Sequence, residues 1–215
     1  MIIVGAKGFA KEVLEIFYQN GSLSDIAFYD DIDPNVAPFL YDKYPVLKND
    51  DQIQGFFKKF GFEFTLGVGN PLVRFRLFNK FKKLGGTFTS CVSPFAKIGH
   101  FDVNIGCGCN ILDSSIISNG VKIGDGCIIY YHSMVTHDCR IGDFVEISPG
   151  ATILGRCQLG SFIQIGANAT VLPDINIGNN VIVGAGSIVT KDVPDNCLVV
   201  GAPAMVKKYF QEPNF

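Results

Sequence analysis

From Ile105 onward every sixth residue is aliphatic: Ile105, Ile111, Ile117, Ile123, Ile129, Val135, Ile141, Ile147, Ile153, Leu159, Ile165, Val171, Ile177, Val183 and Val189. At roughly a one in four chance per site, such a run would arise with a probability on the order of one in a billion. Val92 and Ile98 extend the ladder backwards after a one-residue phase slip near Asn104. Four residues after each aliphatic stands a mostly small or β-branched residue, from Cys109, Ser115 and Val121 through Cys157 and Ala169 to Val193. Gly often follows the aliphatic directly, as at Gly106, Gly124, Gly142, Gly160, Gly166, Gly178 and Gly184. Such a pattern suits a triangular coil, in which the aliphatic points to the axis, a tight corner takes Gly, Asp or Asn, and a small residue fills the next inward site. Three hexapeptides make one coil, so residues 18 apart stack as a parallel β-helix. Cys109, Cys127, Cys139 and Cys157 then read as core packing.

Composition removes several classes of function. The 215 residues carry a net charge of −2, against the basic excess of a general nucleic-acid binder. A hydrophobic share of 47% is too high for disorder. No apolar run approaches the roughly 20 residues of a membrane span. The start, Met1-Ile2-Ile3-Val4-Gly5, reads as a first strand rather than a signal peptide, so the expected location is the cytoplasm. Seven cysteines with no C-x-x-C pair argue against a disulfide framework there.

Residues 1–88 lack the repeat. Strand patterns fall on 1–4, 27–29 and 64–69, and helical patterns on 11–19, 49–60 and 72–84. The last helix is expected to expose Arg74, Arg76, Lys80, Lys82 and Lys83. Alternation of this kind implies a small parallel sheet with helices, whose ligand side is the C-terminal ends of its strands. The strand–glycine turn–helix at 4–11 is suited to an anion, and Asp30 and Asp31 end the second strand where an acid meets ribose hydroxyls. A nucleotide-sugar site is the favoured reading. A plain packing domain and a dinucleotide site are the alternatives, the latter without GxGxxG spacing.

Five segments carry a resemblance that spans nearly the whole chain: Val4-Gly5-Ala6-Lys7-Gly8-Phe9-Ala10-Lys11-Glu12-Val13, Phe28-Tyr29-Asp30-Asp31, Gly67-Val68-Gly69-Asn70, Val135-Thr136-His137-Asp138-Cys139-Arg140-Ile141-Gly142-Asp143 and Val199-Val200-Gly201-Ala202-Pro203-Ala204. With them the chain resembles the sialic acid O-acetyltransferase and PglD-type sugar acyltransferases. The resemblance implies an α/β Rossmann-like sugar-nucleotide domain (1–88) followed by an all-β left-handed parallel β-helix that binds acetyl-CoA (89–215). It places a His–acid pair on His137 and Asp138. Sugar-nucleotide contacts fall on Lys7, Gly8, Phe9, Asp30, Asp31 and Gly69, and acetyl-CoA contacts on Glu146, Ala167 and Ala185. It also implies a homotrimer. Two departures stand out: Lys7, Phe9 and Ala10 replace Ser, His and Gly of well-studied members, and Glu146 stands where they have His.

Acyl transfer from a thioester needs a base that titrates near neutrality, and imidazole supplies one. Of His100, His132 and His137, the last is the candidate, with Asp138 to orient it; His132 reads as a neighbour of the site beside Tyr130 and Tyr131. A zinc lyase of the gamma-class carbonic anhydrase kind is the rival. His100 and His137 resemble its first pair, but Gly142 stands where the third histidine belongs, and no metal is expected. A non-catalytic solenoid is the third class; of Thr136, Thr152, Thr170 and Thr190 only Thr152 and Thr170 stand 18 residues apart, too short a row for a regular threonine column. The expectation is an acetyl-CoA-dependent acetyltransferase acting on a nucleotide-linked sugar, with neither nucleic acid nor membrane as partner.

Overall fold

The structure, a computed structural model, describes residues 1–213. The last two residues of the 89–215 segment lie outside the described residues. The N-terminal part runs β1 (Ile2–Val4), α1 (Gly8–Gln19), β2 (Ala27–Tyr29), β3 (Phe39–Leu40), β4 (Tyr44–Leu47), α2 (Asp50–Phe60), β5 (Glu63–Leu66), α3 (Pro71–Lys83) and β6 (Thr87–Phe88). The sheet order is β3-β4-β2-β1-β5-β6, parallel except for β3. Every residue of β1 and β2 is buried, as in parallel strands covered on both faces. The side chain of Asn70 accepts hydrogen bonds from the N–H groups of Leu72 and Val73, both at 3.1 Å, and with Pro71 behind it starts α3.

The expected helices and the parallel sheet are present, with shifted bounds. α1 begins at Gly8 rather than Lys11, because Ala10 packs on the end of β5. A Cβ on Gly67 would lie 2.7 Å from that of Ala10, so glycine is needed for the approach. The β3–β4 hairpin escaped sequence reading, since it is short and Pro38 and Pro45 obscure its alternation. Arg74, expected in solvent, is 1% exposed. The β-helix covers the face of α3 that carries it, and the helical period sets Arg74 on that face with Leu77, Phe78 and Phe81, so the expectation followed its charge where the period already pointed inward.

Seventeen two-residue strands follow, from β7 (Cys91–Val92) to β23 (Ile188–Val189), and then β24 (Cys197–Gly201) and β25 (Ala204–Tyr209). They stack into three parallel faces, closed by the antiparallel β24–β25 pair. Partners lie 18 residues apart from Ile105↔Ile123 onward. Earlier they lie 19 apart, at Val92↔Ile111 and Ile98↔Ile117, which is the phase slip near Asn104. At the far end the interval shortens to 16, at Ile177↔Val193 and Val183↔Val199, so Val193 takes over the aliphatic position. The ladder from Ile111 to Val189 and the small-residue register from Cys109 are buried as one core.

Gly, Asp or Asn takes most of the left-handed corners, as expected, but the glycines directly after the aliphatics are not those corners. The left-handed residue of each hexapeptide comes three positions after the aliphatic, at Ser114, His132, Asp138, Phe144, Arg156, Phe162 and Asn168 among others. The glycines directly after the aliphatics have ordinary φ values. Along one edge, Gly106, Gly124, Gly142, Gly160 and Gly178 form a column pressed against the next coil. A Cβ on Gly142 would stand 2.6 Å from the Gly160 backbone. Close stacking, not a left-handed turn, selects them.

The two parts share cores. Phe144 and Phe162, one coil apart and stacked at 5.8 Å, pack edge-on against Phe75 of α3 at 5.3 and 5.5 Å. Cys91, Leu112 and Ile128 pack with α1 residues. Asn110 ties the parts with a 2.7 Å hydrogen bond to the Leu66 carbonyl, and the Thr65 hydroxyl donates to its Oδ1 at 3.0 Å. Because Ile147 fills the axis with no exposure, Ile147→Ala should destabilise the fold by about 2–5 kcal/mol. Chemical denaturation followed by circular dichroism checks this, and an unchanged transition would contradict a filled axis.

Candidate active site

His137 lies at the corner between a strand of the second face (Met134–Val135) and one of the third (Arg140–Ile141). The left-handed φ of +61° at Asp138 turns the chain so that its carboxylate Oδ2 comes 2.8 Å from His137 Nδ1. With Nδ1–H donating to that oxygen, Nε2 carries the free lone pair. The imidazole lies over Gly155 of the next coil, where a Cβ would come within 2.6 Å of Cε1 and Nε2. Any larger residue at 155 would displace the ring. Beside it Arg156 grips Asp174 through two hydrogen bonds of 2.6 and 2.7 Å, which hold the Asp174 carboxyl below its ordinary range. Both members of the His137–Asp138 pair are more than half exposed, so the imidazole faces outward.

A second centre lies at the C-terminal ends of β1, β2 and β5. A cavity of about 330 Å³ is lined there by Lys7, Phe9, Asp30, Asp31, Gly69 and their neighbours. Gly8, the first residue of α1, is exposed but does not line it. Asp30 Oδ1 accepts from the N–H groups of Ile32 and Asp33 at 3.1 and 3.0 Å, folding the loop that closes one wall. Lys7 reaches Asp33 across the opening at 3.2 Å. Phe9 packs on Tyr130 with ring centroids 5.3 Å apart, and the Tyr130 hydroxyl donates to Glu12 at 2.6 Å.

Asp31 belongs to a network that sequence reading missed. The Tyr29 hydroxyl donates to Asp31 Oδ2 at 2.6 Å; Lys80 Nζ donates to Tyr29 and to Asp31, and pairs with Asp50 at 3.0 Å. Partial burial alone would raise the Asp31 pKa, but the hydrogen bonds from Tyr29 and Lys80 outweigh it and hold the carboxyl low. Burial and the Asp31 hydrogen bond push the Tyr29 phenol up to about 12. Tyr29 had read only as strand core, and Lys80 only as surface charge on α3.

Between the two centres lies Arg74. Its guanidinium donates to the carbonyls of Gly69 and, at 2.7 Å, of Phe144, and stands 3.8 Å from Glu146 Oε2. Burial lowers its pKa to about 10, and Glu146 opposes that fall. Glu146 is thus placed at the junction of the two parts. Ala167 and Ala185 stack on the edge between the first and second faces, where the Gly186 N–H meets the Ala167 carbonyl at 2.8 Å. His137 is on a different edge of the prism. One chain gathers Lys7, Phe9, Asp30, Asp31 and Gly69 around the cavity with Glu146 next to Gly69, and leaves His137 apart. No group of three or more His, Cys, Asp or Glu side chains placed to hold a metal ion occurs among the described residues.

Residues 1–81 match the model of the PglD N-terminal domain, and residues 156–191 that of the bacterial transferase hexapeptide (six repeats). WeeI from Acinetobacter baumannii AYE is 33% identical, with a TM-score of 0.85 over 96% of this chain and 100% of that one. The chain belongs to the PglD-type sugar acetyltransferases of the hexapeptide-repeat class. PerB from Caulobacter crescentus, solved in complex with CoA and GDP-perosamine, is 29% identical, with a TM-score of 0.87 over 96% of each chain. The acetyltransferase domain of PglB from Neisseria gonorrhoeae FA1090, in complex with acetyl coenzyme A, is also 29% identical, with a TM-score of 0.86 over 95% of this chain and 97% of that one. No curated protein sequence matches significantly. Membership makes the chain an acyltransferase with an acyl-CoA co-substrate.

The Asp31 network gives a pH test. A carboxyl held low when folded adds stability above the ordinary carboxylate range, and that stability is lost as pH falls through the folded value. Asp31→Asn should lower stability near neutral pH by no more than about 1 kcal/mol, since the pair is partly exposed. The difference in melting temperature from the wild type should close in acid. A gap that persists at every pH would place the effect elsewhere.

Proposed function

We propose that this chain transfers acetyl from acetyl-CoA to the amine of a nucleotide-linked sugar, with His137 as general base. The observation that carries the reading is the His137–Asp138 pair, whose Nε2 is unburdened and faces outward over a glycine. The nucleotide sugar would occupy the 330 Å³ cavity, with Lys7 and the start of α1 toward its diphosphate and the Asp30 and Asp31 wall toward its nucleoside. Acetyl-CoA would run along the edge of Ala167 and Ala185 toward Glu146. His137 takes a proton from the amine as its nitrogen attacks the thioester carbonyl. The C–N bond forms, the C–S bond breaks, and the CoA thiolate leaves and is protonated. A backbone N–H near Gly155 would meet the transient oxyanion. An acetyl-CoA donor and seven thiols, all free, suit the cytoplasm.

The base lies on one edge of the β-helix and the cavity in the N-terminal part, so the reading calls for a second copy to bring them together. Phe95 and Phe101, 61% and 73% exposed at the first coil, offer apolar surface for it. A cyclic trimer satisfies three equivalent edges at once. Sedimentation should therefore give about three times the 23.4 kDa chain mass. A stable monomer at micromolar concentration would contradict the shared site.

Thiol release from acetyl-CoA, measured over a panel of GDP-, UDP- and dTDP-linked 4-amino sugars, tests the chemistry. His137→Ala should cut kcat by about 10²–10⁴-fold with KM little changed, and Asp138→Ala should cost less. Loss of activity to a chelator, with His100→Ala as damaging as His137→Ala, would replace this reading by a metal site.

A further inference from the structure

The carboxylate of Glu146 has more acceptor capacity than its surroundings use. It projects outward from the first face of the β-helix, since its neighbour Ile147 fills the axis and successive side chains in a strand alternate. In the same column Ile128, one coil earlier, is buried beneath the N-terminal part, and Gln164, one coil later, lines a cavity of about 230 Å³. Glu146 therefore sits between that covered position and a cavity that Asn70 and Leu72 of the N-terminal part also line. Its Oε2 would lie 3.5 Å from a Cβ on Gly69, a residue of the nucleotide-sugar cavity wall.

The hydrogen bonds it receives are few and long. Ser148 Oγ donates to Oε1 at 3.1 Å, and Gln164 Nε2 donates to Oε2 at 3.3 Å. Arg74 stands 3.8 Å away, but NH1 is directed to the Gly69 carbonyl and NH2 to that of Phe144, while Nε has no partner. The arginine is a counter-charge and does not cap the oxygens. A carboxylate offers about four acceptor sites, and two are taken. The remaining acceptor capacity lies beside the cavity wall, on the way to the Ala167 and Ala185 edge.

We propose that Glu146 binds the protonated amine of the acceptor, so that this chain selects an amino sugar over its hydroxyl counterpart. The inference rests on the acetyl-transfer reading above and assigns the residue that recognises its amine. The balance is simple. The ammonium sugar and acetyl-CoA give the amide, CoA thiol and one proton. That proton is lost to solvent before attack, and the second passes through His137 to the departing thiolate. Glu146 holds and orients the nitrogen until the first proton is lost.

Glu146→Gln removes the charge at nearly constant volume. For whichever GDP-, UDP- or dTDP-linked 4-amino sugar is turned over, its KM should rise by about tenfold or more, the usual scale for a lost charged hydrogen bond. The inhibition constant of the matching 4-hydroxy nucleotide sugar should be unchanged, a readout that a merely structural role would not spare. Glu146→Asp, which keeps the charge, should fall between wild type and Glu146→Gln. An unchanged amino-sugar KM, or equal weakening of amine and hydroxyl ligands, would overturn the proposal and leave acetyl transfer standing. Turnover of hydroxyl sugars alone would do the same. Absence of thiol release with every sugar would overturn acetyl transfer itself, and this assignment with it.

Discussion

A parallel β-helix can stack its coils only if each one closes on the same footprint, about 4.8 Å above the last. Everything else in this chain is fitted to that spacing. The aliphatic ladder fills the axis, the small register of Cys, Ser, Ala and Val lets the faces approach, and the glycine column from Gly106 to Gly178 clears the edge where backbone meets backbone. Where the footprint changes, the interval changes with it: 19 residues at the first coil and 16 at the last. Because the coils repeat, a side chain at one corner is placed relative to the next coil almost without freedom. That rigidity holds His137 over Gly155, with Asp138 turned back against its Nδ1.

The N-terminal part adds what a repeat cannot, a concave pocket at the ends of parallel strands. Its attachment is partly apolar, through Phe75, Phe78, Phe144 and Phe162, and partly polar, through Asn110 and Arg74. A buried guanidinium is an uneasy component, since desolvation disfavours its charge and its Nε finds no partner. Its gain is positional: one rigid group fixes the Gly69 carbonyl at the pocket wall, the Phe144 carbonyl at a coil corner, and the charge beside Glu146.

Much of this was legible beforehand, for identifiable reasons. Period-six aliphatics have no competing explanation, so the β-helix, its stacking interval and its early phase slip could be read directly. The strand–turn–helix alternation gave the parallel sheet, and the motif segments pointed to the pocket residues. The corner glycines were harder. Sequence cannot distinguish a glycine chosen for a left-handed φ from one chosen because a neighbouring coil leaves no room, and here the second reason holds after each aliphatic.

The sequence by itself determined the repeat, the order of the two parts and the chemical types available to the site, because these depend on local pattern and on spacing along the chain. Only the tertiary structure decided what each charge faces. Arg74 and Lys80 carry the same charge on different sides of α3, and packing decides what each one meets: Arg74 is sealed against the β-helix, while Lys80 joins Tyr29, Asp31 and Asp50. The same holds for Glu146. Its neighbours Arg74 and Gly69 lie more than seventy residues away in the chain, and only packing of one part on the other brings them together.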